Sequence, residues 1–156
     1  MARTLLLVAS HVLAALIGFA AAVLALPVVT APPAPDATAI GANAAQAIFR
    51  GEFRRNLKGS DMLHWGEGIV ALSPRAVSLQ GSISPGFNHK LFLSPEFIET
   101  KDDFLRLKKD MVLIGEVTTF ENFLVEVPAH VDPAAFNTAV VWCERFGRFI
   151  TAAKYR

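Results

Sequence analysis

From Leu5 to Leu26 the chain carries no formally charged side chain, and only Ser10 and His11 interrupt the run with polar groups. As a helix this stretch would be about 33 Å long, close to the roughly 30 Å hydrocarbon core of a bilayer. Pro27 follows and disfavours further helix. Arg3 precedes the run and Asp36 is the first charge after it, so the positive-inside rule directs the N-terminus to the cytoplasm. The expectation is a single-pass anchor over residues 1–29 in a bacterial inner membrane, with the C-terminal domain facing the periplasm. The competing reading is a cleaved signal peptide. Its apolar region would normally be about 7–15 residues, shorter than this one. The small-residue stretch Ala20-Ala21-Ala22 also lies inside the run rather than after it. The retained anchor is favoured, with His11 an interfacial residue rather than a proton relay.

Residues 30–50 read as a Pro/Ala-rich linker. Pro32, Pro33 and Pro35 make a stiff, extended spacer. Ala37 to Phe49 is alanine-rich and suits a short helix weakened by Gly41, either a stalk or an element packed on the domain. What remains is enough for one compact domain over residues 51–156. The net charge of +1, with both signs interspersed, gives no footprint for nucleic acid.

Short apolar runs broken by turn signals then dominate, as in an antiparallel sheet protein. Runs at Gly68–Ser73, Ala76–Gln80, Lys90–Ser94, Val112–Val117, Phe123–Val127, Thr138–Cys143 and Arg148–Ala152 give about seven strands. One helical insert follows Thr100. Asp102 and Asp103 fall in its first turn and Lys108 and Lys109 in its last, an order that suits the helix dipole. Asp132-Pro133 reads as an N-cap with proline at the first helical position, giving a single turn. The expected fold is all-β with a small helical insert, an antiparallel β-sandwich or flattened barrel, preceded by one transmembrane helix.

The C-terminal third carries the distinctive residues. Val140-Val141-Trp142-Cys143-Glu144-Arg145-Phe146 lies between Val127-Pro128 and Phe149-Ile150-Thr151-Ala152-Ala153. Together with Leu63-His64-Trp65-Gly66-Glu67-Gly68, Lys90-Leu91-Phe92-Leu93-Ser94 and Glu121-Asn122-Phe123 through Pro128, this resembles the DM13 domain family over roughly Gly51 to Tyr155. One departure is Pro85-Gly86-Phe87-Asn88-His89, where many members carry a Gly-Pro-Asp type loop; Asn88 brings no charge there. The resemblance implies a redox or electron-transfer module in which the cysteine acts as a naked thiol or as a ligand to a prosthetic group such as haem. An envelope redox or binding partner would complete its function.

Cys143 is the sole cysteine, which rules out an internal disulfide and zinc sites built on cysteine pairs. It ends an apolar strand, so a small buried hydrophobe is the plain reading. The redox reading rests on an unpaired thiol in an oxidising compartment, on the strand's exit from the core at Glu144-Arg145, and on the resemblance. Arg145 lies two positions on, where its charge would share the strand face and depress the thiol pKa. His64 and Trp65, beside a glycine-flanked turn, are candidates for an axial ligand with an aromatic shelf, or else close the turn. His89 and His130 read as solvated loop residues. No metal-ligand spacing links the four histidines, so no metal site is expected. Trp142 alternates to the face opposite Cys143 and reads as core, as do Phe120, Phe123, Phe136, Phe146 and Phe149. Glu67, Glu121 and Glu126 read as a solvated strand face. No nucleophile elbow, phosphate loop or dinucleotide fingerprint occurs. Two functions stay open: a thiol-redox or electron-transfer module, or a non-catalytic membrane-tethered binding or scaffolding domain with a structural cysteine.

Overall fold

The computed structural model describes residues 1–156 as two compact units, Met1–Thr30 and Ala31–Arg156. The first is a single helix, α1 (Ala2–Thr30), with a mean hydropathy of 2.7 in its most apolar window. It is long and apolar enough to cross a membrane, as an anchor or a signal sequence would be. Contrary to expectation, the helix runs through Pro27 to Thr30. The proline removes one donor from the last turn only, and the Thr30 hydroxyl donates to the Leu26 carbonyl at 2.7 Å.

In the second unit, α2 (Ala37–Ala45) starts at Asp36, whose carboxylate accepts from the Ala39 N–H at 2.8 Å. This helix packs on the domain rather than standing off it. Its buried Asn43 donates to the Ala71 carbonyl at 3.1 Å and to the Ser78 hydroxyl at 2.8 Å. Eight strands follow: β1 (Phe49–Phe53), β2 (Gly66–Leu72), β3 (Ala76–Ile83), β4 (His89–Ser94), β5 (Val112–Val117), β6 (Glu121–Glu126), β7 (Thr138–Cys143) and β8 (Arg148–Lys154). β1 was not among the expected strands. Its Phe-Arg-Gly-Glu-Phe sequence offers two apolar residues at most, and pairing with β2 is what makes it a strand.

The strands form two antiparallel four-stranded sheets, in the orders β1-β2-β3-β6 and β5-β4-β7-β8. The domain is a sandwich, not a closed barrel. Between the sheets lie Val70, Leu72, Val77, Leu79, Leu91, Leu93, Val141 and Phe123, all with little or no exposure. Period-two alternation puts these side chains inward. The outer face of the second sheet carries its own apolar cluster of Phe92, Val140, Trp142, Phe149 and Ala152. It is covered by the expected helical insert, α3 (Lys101–Leu107), capped by Thr100, with Phe104 and Leu107 turned inward; the helix ends before Lys108 and Lys109, so Arg106 and not these lysines is the base in its last turn. The Phe104 ring stacks on Trp142 with centroids 4.0 Å apart and planes 6° from parallel, and meets Phe92 edge-on at 5.2 Å.

β7 is consequently buried at all six positions. It reads as a continuous apolar run because both of its faces are covered. The turn expected at Asp132 is a 3-10 turn over Pro133–Ala135.

Phe104 is fully buried against two aromatic rings, so Phe104→Ala should cost about 3–5 kcal/mol by leaving a cavity over Trp142. Urea unfolding of the full chain in detergent measures this. A loss below about 1 kcal/mol would mean that α3 is a dispensable cover.

Candidate functional site

Cys143 is the last residue of β7, on the face between the sheets. Directly across the β4–β7 ladder stands His89, the first residue of β4, in register with Cys143. Opposed residues in an antiparallel pair project to the same face, with Cβ atoms about 4.5–5.5 Å apart. His89 is therefore an inward-facing strand residue, 1% exposed, and not the solvated loop histidine expected from the sequence. His130 is exposed.

The segment before β4 lies across both side chains. The Cys143 thiol donates to the Phe87 carbonyl at 3.1 Å. Gly86 abuts the His89 ring so closely that a methyl carbon built on it would lie 2.5 Å from Nε2. The close approach requires glycine here. Asn88 takes a left-handed φ of 58° and its carbonyl accepts from the Glu144 N–H at 3.1 Å, tying the segment to the turn after β7. That turn closes through Gly147 at φ 56°. Phe146 stands on it half-exposed, edge-on to Phe87 at 6.3 Å, and is not the core residue expected. Phe120 closes the other side, edge-on to the His89 ring at 5.9 Å.

The electrostatics follow from this packing. Burial pushes the Cys143 thiol above its ordinary pKa; the backbone N–H groups of Phe146 and Arg145 oppose the shift, and the Glu144 carboxylate reinforces it. The expected role of Arg145 is thus corrected. Its guanidinium sits over the Phe87 ring, 5.9 Å from the centroid, and what reaches the thiol is its main-chain N–H. Glu144 is held below the usual carboxylate range chiefly by Lys108, which donates to it at 3.0 Å, and it also accepts from the Trp142 indole N–H at 3.1 Å. Burial lowers the His89 pKa from 6.5 to about 4, with the charge of nearby His64 contributing. The ring is neutral at neutral pH, and its buried Nδ1 has no hydrogen-bond partner.

His64 and Trp65 lie in the loop before β2. The His64 Nδ1 is held by the Asp61 carboxylate at 2.9 Å. Ser84 clips Trp65, accepting from its N–H at 3.2 Å and donating its own N–H to its carbonyl at 2.9 Å. One face of the Trp65 ring carries the Arg55 guanidinium at 3.3 Å, itself bonded twice to Glu67. These two residues close a turn near the pair. Glu67, Glu121 and Glu126 are exposed, as expected.

A family model described as Electron transfer DM13 matches residues 53–155, a span holding every residue of this site. The chain belongs to the DM13 family. No curated protein and no solved structure matches it. The haem implied for some DM13 domains does not fit this site. The thiol is already in contact with the Phe87 carbonyl, the His89 ring leaves no space even for a methyl group at Gly86, and the Trp65 shelf is taken by Arg55.

Sequence reasoning singled out Cys143 and placed His89 in a loop, although period-two spacing with Leu91 and Leu93 puts that histidine on the inner face of this DM13 domain's β4. The unfolded chain protonates His89 near 6.5 and the folded chain near 4, so between these values the unfolded state binds more protons. Stability should therefore fall by up to about 3 kcal/mol as pH drops through this window. Urea midpoints at about pH 7 and pH 4.5 measure the effect, and His89→Phe should flatten it. An equal slope in wild type and variant would assign the acid sensitivity elsewhere.

Proposed function

We propose that this domain transfers electrons through the Cys143 thiol, held at the periplasmic face of a bacterial inner membrane by α1, and that a disulfide- or thiol-bearing envelope protein is its partner. Family membership supports electron transfer in general terms. The observation that carries the specific reading is the pairing of Cys143 with an unpartnered, buried His89 at one end of an otherwise apolar interior. A structural cysteine needs no such neighbour.

The chemistry is a two-electron thiol–disulfide exchange. The Cys143 thiolate attacks one sulfur of the partner's disulfide, that S–S bond breaks, and a new one forms to Sγ. The released thiolate takes up a proton. With no second cysteine in the chain, an external thiol resolves the mixed disulfide.

The second reading, a tethered binding module with a structural cysteine, is favoured by the 2% exposure of Cys143. The two separate on the native reaction of the full chain in detergent with glutathione disulfide, followed by mass spectrometry. The redox reading expects complete adduct formation under conditions where the fold persists, at a rate that does not track global stability. The adduct should be lost in Cys143→Ser with the circular dichroism unchanged. Reaction only after unfolding would leave the binding module.

A further inference from the structure

We propose that His89 is the base that takes the Cys143 proton, and that the Gly86-Phe87 segment gates the pair. The proposal rests on the thiol being the redox group and specifies how it is activated. Three placements carry it. His89 and Cys143 are opposed on one face of the second sheet. His89 is 1% exposed and its Nδ1 lacks any partner, which is rare for a buried polar atom. One short segment covers both, with the Phe87 carbonyl on the thiol and Gly86 against the ring.

In the closed form the S–H points to the Phe87 carbonyl, so the thiol is protonated and shielded. Lifting the segment removes that acceptor and frees the thiol to turn toward the opposed imidazole, whose Nδ1 is an acceptor in the Nε2–H tautomer. Burial is the largest cause of both shifts, upward for the thiol and downward for the imidazole, so hydration brings both toward their ordinary values. Opening and activation are thus one event. The charged groups bearing on the pair are His64, from the loop before β2, and Glu144, with the Arg145 side chain out over Phe87. Lys90, paired with Glu116, stands in register with Trp142 on the outer face, and Lys108 reaches Glu144 from the end of α3. β5 contributes the apolar Val117 opposite His89, and Phe120 follows it.

The step balances. The Sγ proton passes to Nδ1, the thiolate attacks a disulfide sulfur, the S–S bond breaks as the bond to Sγ forms, and the imidazolium protonates the departing thiolate. One thiol and one disulfide give one mixed disulfide and one thiol.

The test follows the native reaction of the full chain in detergent with hydroxyethyl disulfide, small and uncharged across the range, by acid quench and mass spectrometry. Because the imidazolium left beside the sulfur stabilises the thiolate, the wild-type rate should fall less steeply with falling pH than that of His89→Phe, which should drop about tenfold per pH unit below the ordinary thiol pKa of ~8.5. The wild-type chain should react at least severalfold faster than the variant near pH ~6.5, and the two should converge above about pH 9. His89→Gln, which accepts a hydrogen bond but not a proton, should follow the phenylalanine variant and covers the case in which that variant does not fold. Gly86→Ala, which displaces the segment without touching Cys143, should react severalfold faster than wild type. Parallel pH profiles with and without His89, or a Gly86→Ala rate no faster than wild type, would overturn the proposal while leaving the thiol-redox reading standing. No reaction of Cys143 in any folded form would overturn both.

Discussion

The structure turns on the burial of β7 from both sides. Its six residues alternate between the inter-sheet core and the surface under α3, so Val141 and Cys143 face inward while Val140 and Trp142 face the helix. The parallel stack of Phe104 on Trp142 holds the outer side. A shift of one residue along β7 would exchange these faces, placing the indole between the sheets and the thiol under the helix. The position of Cys143 is thus fixed by apolar packing some distance from the sulfur.

The same packing sets the chemistry at the end of the strand. The interior that accepts Leu91 and Leu93 from β4 also takes His89, the next inward position toward the N-terminal end of that strand. Water is excluded there, so the imidazole is held neutral and the thiol protonated. Neither group is poised for reaction in the closed form. A thiol shielded in this way is protected from the unselective oxidation to which a permanently exposed thiolate is open. The segment that protects it is short, carries Gly86 at a contact that admits no side chain, and is held by main-chain and aromatic contacts to the turn after β7.

Much of this was legible in the chain. The apolar run of α1, the period-two strands, the Thr100 and Asp132 caps and the opposite orientations of Trp142 and Cys143 all follow from local patterns and appear as expected. β1 was not legible, because a strand with one glycine and two charges becomes a strand only through the edge of β2. Arg145 was misread because two residues past Cys143 the chain has left the strand for a turn, and alternation no longer governs where a side chain points. His89 was not legible as a strand residue because it is polar and precedes the apolar run by which a local pattern recognises β4.

By itself, then, the sequence determined the division into an apolar helix and a β domain, the strands whose inner faces are apolar, and the single thiol at the end of one of them. These are properties of neighbours along the chain, set by periodicity and capping. Only the tertiary structure decided that β4 and β7 lie side by side in the register that opposes His89 to Cys143, and that Gly86 and Phe87 cover both. Strand order and register come from long-range packing of two sheets, and no local pattern around either residue encodes the other's position.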